Sequence, residues 1–293
     1  MESVGQAIDK LMSKYLYIVE MPCPSCGGDM YAWRSPGRDG HPRCAPACLS
    51  CGHKMPNRSK ESTVLSANEQ YERSLRQRYR NFFRNGSVLS NKAMLDKTFE
   101  GFQLVSKESN DAKTMMQSFV KSVMKGERPH AVLAGAVGVG KTHLSMAALN
   151  EILAVSGETK YVLFINYLEL TQQIKYSYND ERTYKQIMGG LIPDIKTADV
   201  VVLDDIGAEL GNFNKKSTKD DKNVAKDYNV SALTELLDAR MDKATIFTTN
   251  LTGQQIKAFY GDRVFSRMMS NTEGFVKSFV QTQDYRTSRE ATA

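Results

Sequence analysis

The sequence predicts an α/β fold in which a parallel sheet is covered by helices on both faces and is preceded by a small cysteine-rich module. Three observations lead there. Short apolar runs alternate with helix-like stretches through most of the chain. One strand-to-helix junction carries the glycine-rich "GAVGVGKTH", Gly135 to His143, and all five cysteines fall between Cys23 and Cys51. Continuous apolar strands separated by helices mark a parallel sheet buried on both faces. Cysteines confined to one short stretch mark a separately stapled unit.

At 293 residues and 41% hydrophobic content the chain can bury one large core and one small one. No apolar run approaches the roughly 20 residues that span a bilayer. Glu2, Asp9 and Glu20 stand where an export signal would have a basic flank and an apolar stretch, so a cytoplasmic protein is expected. In that reducing compartment clustered cysteines favour metal over disulfides. The formal charge of +6 is uneven: residues 54–92 hold nine basic and three acidic side chains, and the rest of the chain balances. There Arg73, Arg76, Arg78, Arg80 and Arg84 are mixed with Tyr71, Tyr79, Phe82 and Phe83. Such a mixture suits either a nucleic-acid contact or a linker helix that packs its aromatics on a neighbour.

Taken in order, the cysteine module occupies residues 1–58 and a basic linker helix 59–94, broken by Asn85, Gly86 and Ser87. The large domain runs over 95–293. An amphipathic helix is expected from Ala112, in "AKTMMQSFVKSVMKG". Strands are expected at His130–Gly135, Tyr161–Asn166, Asp199–Asp205, Ala244–Asn250 and Gly274–Val280, with helices between. Residues 211–223, "GNFNKKSTKDDKN", are too polar to pack and read as a charged loop.

Chemistry concentrates at the ends of three strands. Gly135, Gly140, Lys141 and Thr142 complete the phosphate-loop pattern G-x-x-x-x-G-K-[ST]. Backbone N–H groups from Gly135, Ala136, Val137, Gly138, Val139, Gly140, Lys141, Thr142 and His143 would cradle the phosphates of ATP, aided by the helix that starts there. Lys141 would reach the outer phosphates, and Thr142 would offer its hydroxyl to Mg²⁺. Asp204 and Asp205 end a buried apolar strand, where two adjacent acids are costly without a cation. Asp204 would hold the magnesium and Asp205 would activate the attacking water, although a helix N-cap is the plainer role for such an aspartate. Asn250, at the tip of the next strand, can donate and accept at once and so suits a water beside the terminal phosphate; Thr-Thr-Asn also reads as an ordinary strand exit. Arg263 and Arg267 follow, either as solvated helix residues or with one as an arginine finger; Arg240 has no evident role.

Two C-x-x-C-G hooks, Cys23/Cys26 and Cys48/Cys51, supply four thiolates for a structural Zn²⁺ site. Cys44 is surplus and is either an alternative ligand to Cys48 or a buried thiol; His41 and His53 are spare.

Together "TFEGF", "GAVGVGKTHLSMA", "VVVLDDIGAE", "LLDARMDKATIFTTNL" and "DRVFSRMM" resemble the DnaC/DnaI/IstB group of AAA+ ATPases, and the cysteine module makes the DnaI-type helicase loaders the better match. The resemblance implies a lid-less AAA+ sheet and an ATPase that binds a hexameric, DnaB-type replicative helicase and delivers it onto single-stranded DNA. It implies that Asn250 is the sensor 1 amide and Arg267 the finger reaching a neighbouring copy. It also implies a DNA-contacting helical insertion within Asn166–Gly190, with Tyr167, Lys175, Tyr176, Tyr178 and Lys185, and an adenine bordered by Phe99 and Phe102. Packing inside the domain is the alternative for both sets. An IstB-like transposition helper and a nonhydrolysing ATP-bound adaptor are the rival functions.

Overall fold

The computed structural model describes residues 14–36, 43–55, 67–210, 227–282 and 284; the expected charged loop 211–223 and His41 lie outside the described residues. The chain divides into two compact units, Met1–Arg78 and Tyr79–Ala293.

The first unit contains an antiparallel sheet of β1 (Leu16–Val19), β2 (Met30–Trp33) and β3 (Ala47–Cys48), in that spatial order. Its core is small: Cys23, Met30 and Cys48 are buried, with Val19 and Met55 packed against them. So few apolar side chains cannot offset the entropy of ordering the segment, which leaves a role for a staple.

Helix α1 (Ala67–Gly86) begins in the first unit and ends in the second. Its last turns are therefore not a free linker. Phe83 is buried, and the Tyr79 and Phe82 rings lie 4.5 and 4.9 Å from that of Tyr161. Arg80 pairs with Glu158, and Arg84 with Asp96 at 2.9 Å. For these five residues packing on a neighbour prevails.

The second unit is built on parallel strands β4 (His130–Gly135), β5 (Val162–Asn166), β6 (Val200–Ile206), β7 (Ala244–Thr249) and β8 (Val276–Phe279), in the order β5-β6-β7-β4-β8. All five strands lie where the apolar runs placed them. The order inserts β6 and β7 between the phosphate-loop strand β4 and β5, so the carboxyl ends of β6, β7 and β4 are neighbours. Helices α2 (Lys107–Met124), α3 (Lys141–Val155), α4 (Tyr167–Ser177), α5 (Glu181–Gln186), α6 (Ile192–Thr197), α7 (Asp227–Ala239) and α8 (Gly253–Met269) complete the unit. Helix α2 starts five residues before the expected Ala112, because Ser106 and Ser109 form a reciprocal capping box there.

Val200 to Leu203 are fully buried, and alternate residues of β6 serve opposite cores. Val202 joins Phe119, Leu144 and Ile152 on one side; Val201 and Leu203 join Leu170, Leu233 and Val264 on the other. Among the described residues no helix is long and apolar enough to cross a membrane.

Candidate nucleotide site and metal centre

The phosphate loop turns from β4 into α3 through left-handed glycines, Gly138 at φ +81° and Gly140 at φ +95°. Only glycine enters that region without penalty. Space adds a second reason: a Cβ on Gly140 would lie 2.6 Å from the Phe102 ring, and one on Gly138 would strike the Asp284 carboxylate. Lys141 opens α3 with its ammonium turned back into the loop. It donates to the carbonyls of Gly135 (2.8 Å) and Ala136 (2.7 Å) and to Asn250 Oδ1 (2.8 Å). His143 faces away from the turn: Nε2 donates to the Thr98 carbonyl at 2.9 Å, and the ring stands edge-on to Phe102. Burial lowers its pKa, keeping it neutral, so its side chain belongs to the packing behind the loop. Phe99 and Phe102 are buried in the same place.

In a regular strand adjacent residues point to opposite faces, so Asp204 and Asp205 could not both serve one site. The structure resolves this with a bulge. Pairing between β6 and β7 slips between Leu203 and Ile206, and Asp205 takes φ +60°. Asp204 accepts hydrogen bonds from Thr142 Oγ1 (3.1 and 3.3 Å) and Thr248 Oγ1 (2.7 Å), while Asn250 Nδ2 donates to Asp205 Oδ1 (3.1 Å). Burial pushes Asp204 up to about 6, helped by the charge of Asp205 and opposed by the two hydroxyls and Lys141. Burial also raises Asp205, against Lys141 and Asn250. A buried acid pair in this condition gains most from a cation, and Thr142 with Asp204 offers oxygens of the type magnesium takes.

Lys141, Thr142, Asp204, Asp205 and Asn250 thus meet in one hydrogen-bonded cluster. Arg267 and Arg263 do not join it; both pair with Asp238 on α7, Arg263 at 2.8 Å. Arg240 is a structural staple. It is fully buried, and its guanidinium donates to the carbonyls of Ile195, Ala198 and Ala244 and to Thr245 Oγ1 at 2.7–3.0 Å. Desolvation pulls it down to about 9, so it stays cationic at neutral pH.

Two threonines escaped the sequence reading. Thr248 and Thr249 precede Asn250, and each grips the bulge: Thr248 as above, Thr249 by donating to the Ile206 carbonyl at 2.6 Å. Their signal was the Thr-Thr-Asn string itself, which an ordinary strand exit imitates. Glu209 is a further hidden acid; it accepts from Gly207 N at 3.0 Å and is held by the Tyr260 hydroxyl.

In the first unit the four sulfurs of Cys23, Cys26, Cys48 and Cys51 lie within 4.8 Å of one another, with Cys23–Cys51 and Cys26–Cys48 at 3.5 Å. A tetrahedral zinc with Zn–S bonds of about 2.3 Å separates its sulfurs by about 3.8 Å, so the cage fits. Burial raises Cys48, but N–H donors from Cys51 and Ser50, with neighbouring thiols, bring it down to about 6. Cys44 is exposed and outside the group, and His53 Nδ1 is engaged 2.9 Å from Ser25 Oγ.

Of the side chains assigned to the helical insertion, Tyr167 is buried in the core and is withdrawn from any contact surface. Tyr176 and Tyr178 are exposed, as are Lys175 and Lys185, the latter 2.6 Å from Glu181.

The model of the IstB-like ATP binding protein family matches residues 59–272. The chain belongs to this family. Among curated proteins, this IstB-like chain is 22% identical over 173 residues to the replicative helicase loader DnaC of Escherichia coli K12, a match covering 58% of this chain and 62% of DnaC. The chain spans about three fifths of the curated relatives it matches. Solved structures with the same fold include DnaI (20% identity, TM-score 0.52, 71% of this chain and 99% of that one) and a putative primosome component from Streptococcus pyogenes serotype M3 (19%, 0.50, 66% and 91%). Membership of the DnaC/DnaI/IstB group and the AAA+ type of sheet follow, as the motifs implied.

Proposed function

We propose that this chain is an ATP-dependent loader that binds a hexameric replicative helicase and places it on single-stranded DNA. The observation that carries the reading is the single cluster of Lys141, Thr142, Asp204, Asp205 and Asn250. A lysine, a hydroxyl, two acids and an amide drawn from three strand ends have the composition that ATP hydrolysis needs. Thr142 and Asp204 would hold magnesium, which when bound neutralises phosphate charge. The loop amides orient the phosphates, Asp205 takes the proton of the attacking water, and Asn250 holds that water in place. Arg267 would complete the site of an adjacent copy after leaving Asp238. The similarity to a DnaC loader and the zinc-type module favour a helicase partner, and the exposed Tyr176, Tyr178, Lys175 and Lys185 suit a single strand. Such a protein works in the cytoplasm.

The test combines turnover and loading. Wild-type protein should hydrolyse ATP with magnesium, bind the hexameric replicative helicase of the same cell and raise helicase loading on single-stranded DNA. Asp205→Asn should keep ATP affinity and lose on the order of 100-fold in turnover. Association with a transposase in place of a helicase overturns the loader reading, and ATP binding without turnover supports a nonhydrolysing adaptor instead.

A further inference from the structure

On its β7 side, the bulge that brings Asp204 and Asp205 to one site has one residue opposite it. Leu203 pairs with Phe247 and Ile206 with Thr249, so the acids share one opposing residue, Thr248. Its hydroxyl is nearly inaccessible to solvent and is used twice: it donates to Asp204 Oδ1 at 2.7 Å and accepts from Asp205 N at 2.8 Å. One oxygen therefore ties the carboxylate of the first acid to the backbone of the second. That backbone needs a tie, because φ of +60° is strained for a residue with a Cβ and persists only where neighbours over-determine it. Thr142 approaches the same Asp204 oxygen from α3 at 3.1 Å, so the carboxylate is held from both sides.

We propose that Thr248 is a positioning residue for the acid pair, fixing the Asp204 carboxylate and the Asp205 main chain in one arrangement so that the cation-holding and water-activating oxygens stay in register. This rests on the ATPase reading above. Thr248 touches neither nucleotide nor water in that scheme and acts through the two acids. A β-branched side chain suits the task, since its χ1 is stiff and the hydroxyl cannot swing away. Asn250 lies two residues on, just past the end of β7, so the strand that orients the acids leads directly into the amide bridging Lys141 and Asp205.

The test is steady-state ATP turnover of the full chain with Mg²⁺, alongside fluorescent-nucleotide binding, for wild type, Thr248→Val and Thr248→Ser. Valine keeps the shape and removes both hydrogen bonds. Outer partners of this kind are worth about 10- to 100-fold, so kcat of Thr248→Val should fall by that factor and half-saturating Mg²⁺ should rise. KM for ATP should move less than about threefold, because the phosphate loop is untouched, and serine should restore most of kcat. Were Thr248→Val insoluble, Thr248→Ala would take its place against serine. An unchanged kcat in the hydroxyl-free variant, a loss confined to KM, or a serine variant as impaired as valine overturns the positioning role while the ATPase reading stands. A wild-type protein without turnover overturns both.

Discussion

The fully buried guanidinium of Arg240, just past α7, donates to the carbonyls of Ile195, Ala198 and Ala244 and so ties the end of α6 to the start of β7. Arg240→Met would remove the buried hydrogen bonds that the guanidinium gives those carbonyls, and bonds from a charged group are worth about 1.5–3 kcal/mol each. A destabilisation of about 3 kcal/mol or more is expected, read as a lower urea midpoint at unchanged slope. Arg240 had no evident role in the sequence, whereas the place of Lys141 followed from spacing alone because the loop pattern leaves its backbone little choice. Asp204 and Asp205 fall between: two acids at a strand end are readable from the chain, but period-two geometry sends them apart, and the bulge that reunites them is hydrogen-bonded to Thr248, 43 residues beyond Asp205.

At the scale of elements, β4 to β7 were legible because each is a short apolar run, as burial on both faces demands, whereas the edge strand β8 is buried only at Phe279 and shows that pattern weakly. Helix α1 was legible as a basic helix able to pack its aromatics on a neighbour, but the ring that receives them, Tyr161, lies too far along the chain for a local pattern to name. The cysteine module was legible from spacing, and its energetics explain the need for it: strands of four, four and two residues bury too little to fold alone. Chelating the metal should therefore unfold β1 to β3 without lowering nucleotide affinity. Alkylation followed by mass spectrometry checks this. Cys44 should react in the native protein, and Cys23, Cys26, Cys48 and Cys51 only after chelator is added; equal labelling of all five beforehand would count against a bound metal.

Across the whole molecule, distant parts of the chain are tied by single carboxylates that no local pattern announces. Glu108, in the first turn of α2, accepts from the N–H groups of Val280, Gln281 and Thr282 and from the Thr282 hydroxyl at 2.7–3.2 Å. The Thr282 hydroxyl above all, with those amides and against some desolvation, holds Glu108 at about 2, below its ordinary 4.5. A lowered folded-state pKa contributes stability that is complete above the unfolded value and is lost as protons bind. Wild type should therefore lose its advantage over Glu108→Gln as pH falls from about 4.5 to about 2, measured by denaturant titration at each pH. A constant difference across that window would assign the tie to shape and not to charge. The segment so anchored leads to Asp284 at Gly138, a neighbourhood that sequence reading could not supply because more than 140 residues separate the partners.

β7 lies between β4 and β6, with its carboxyl end beside both of theirs. A line drawn across the sheet at its carboxyl edge passes from lysine to amide to acid within two strand spacings, about 10 Å, without once following the covalent chain. The loop lysine thus reaches the second acid through one amide, over hydrogen bonds of 2.8 and 3.1 Å, and no residue of the outer helices α4 to α8 takes part in that link.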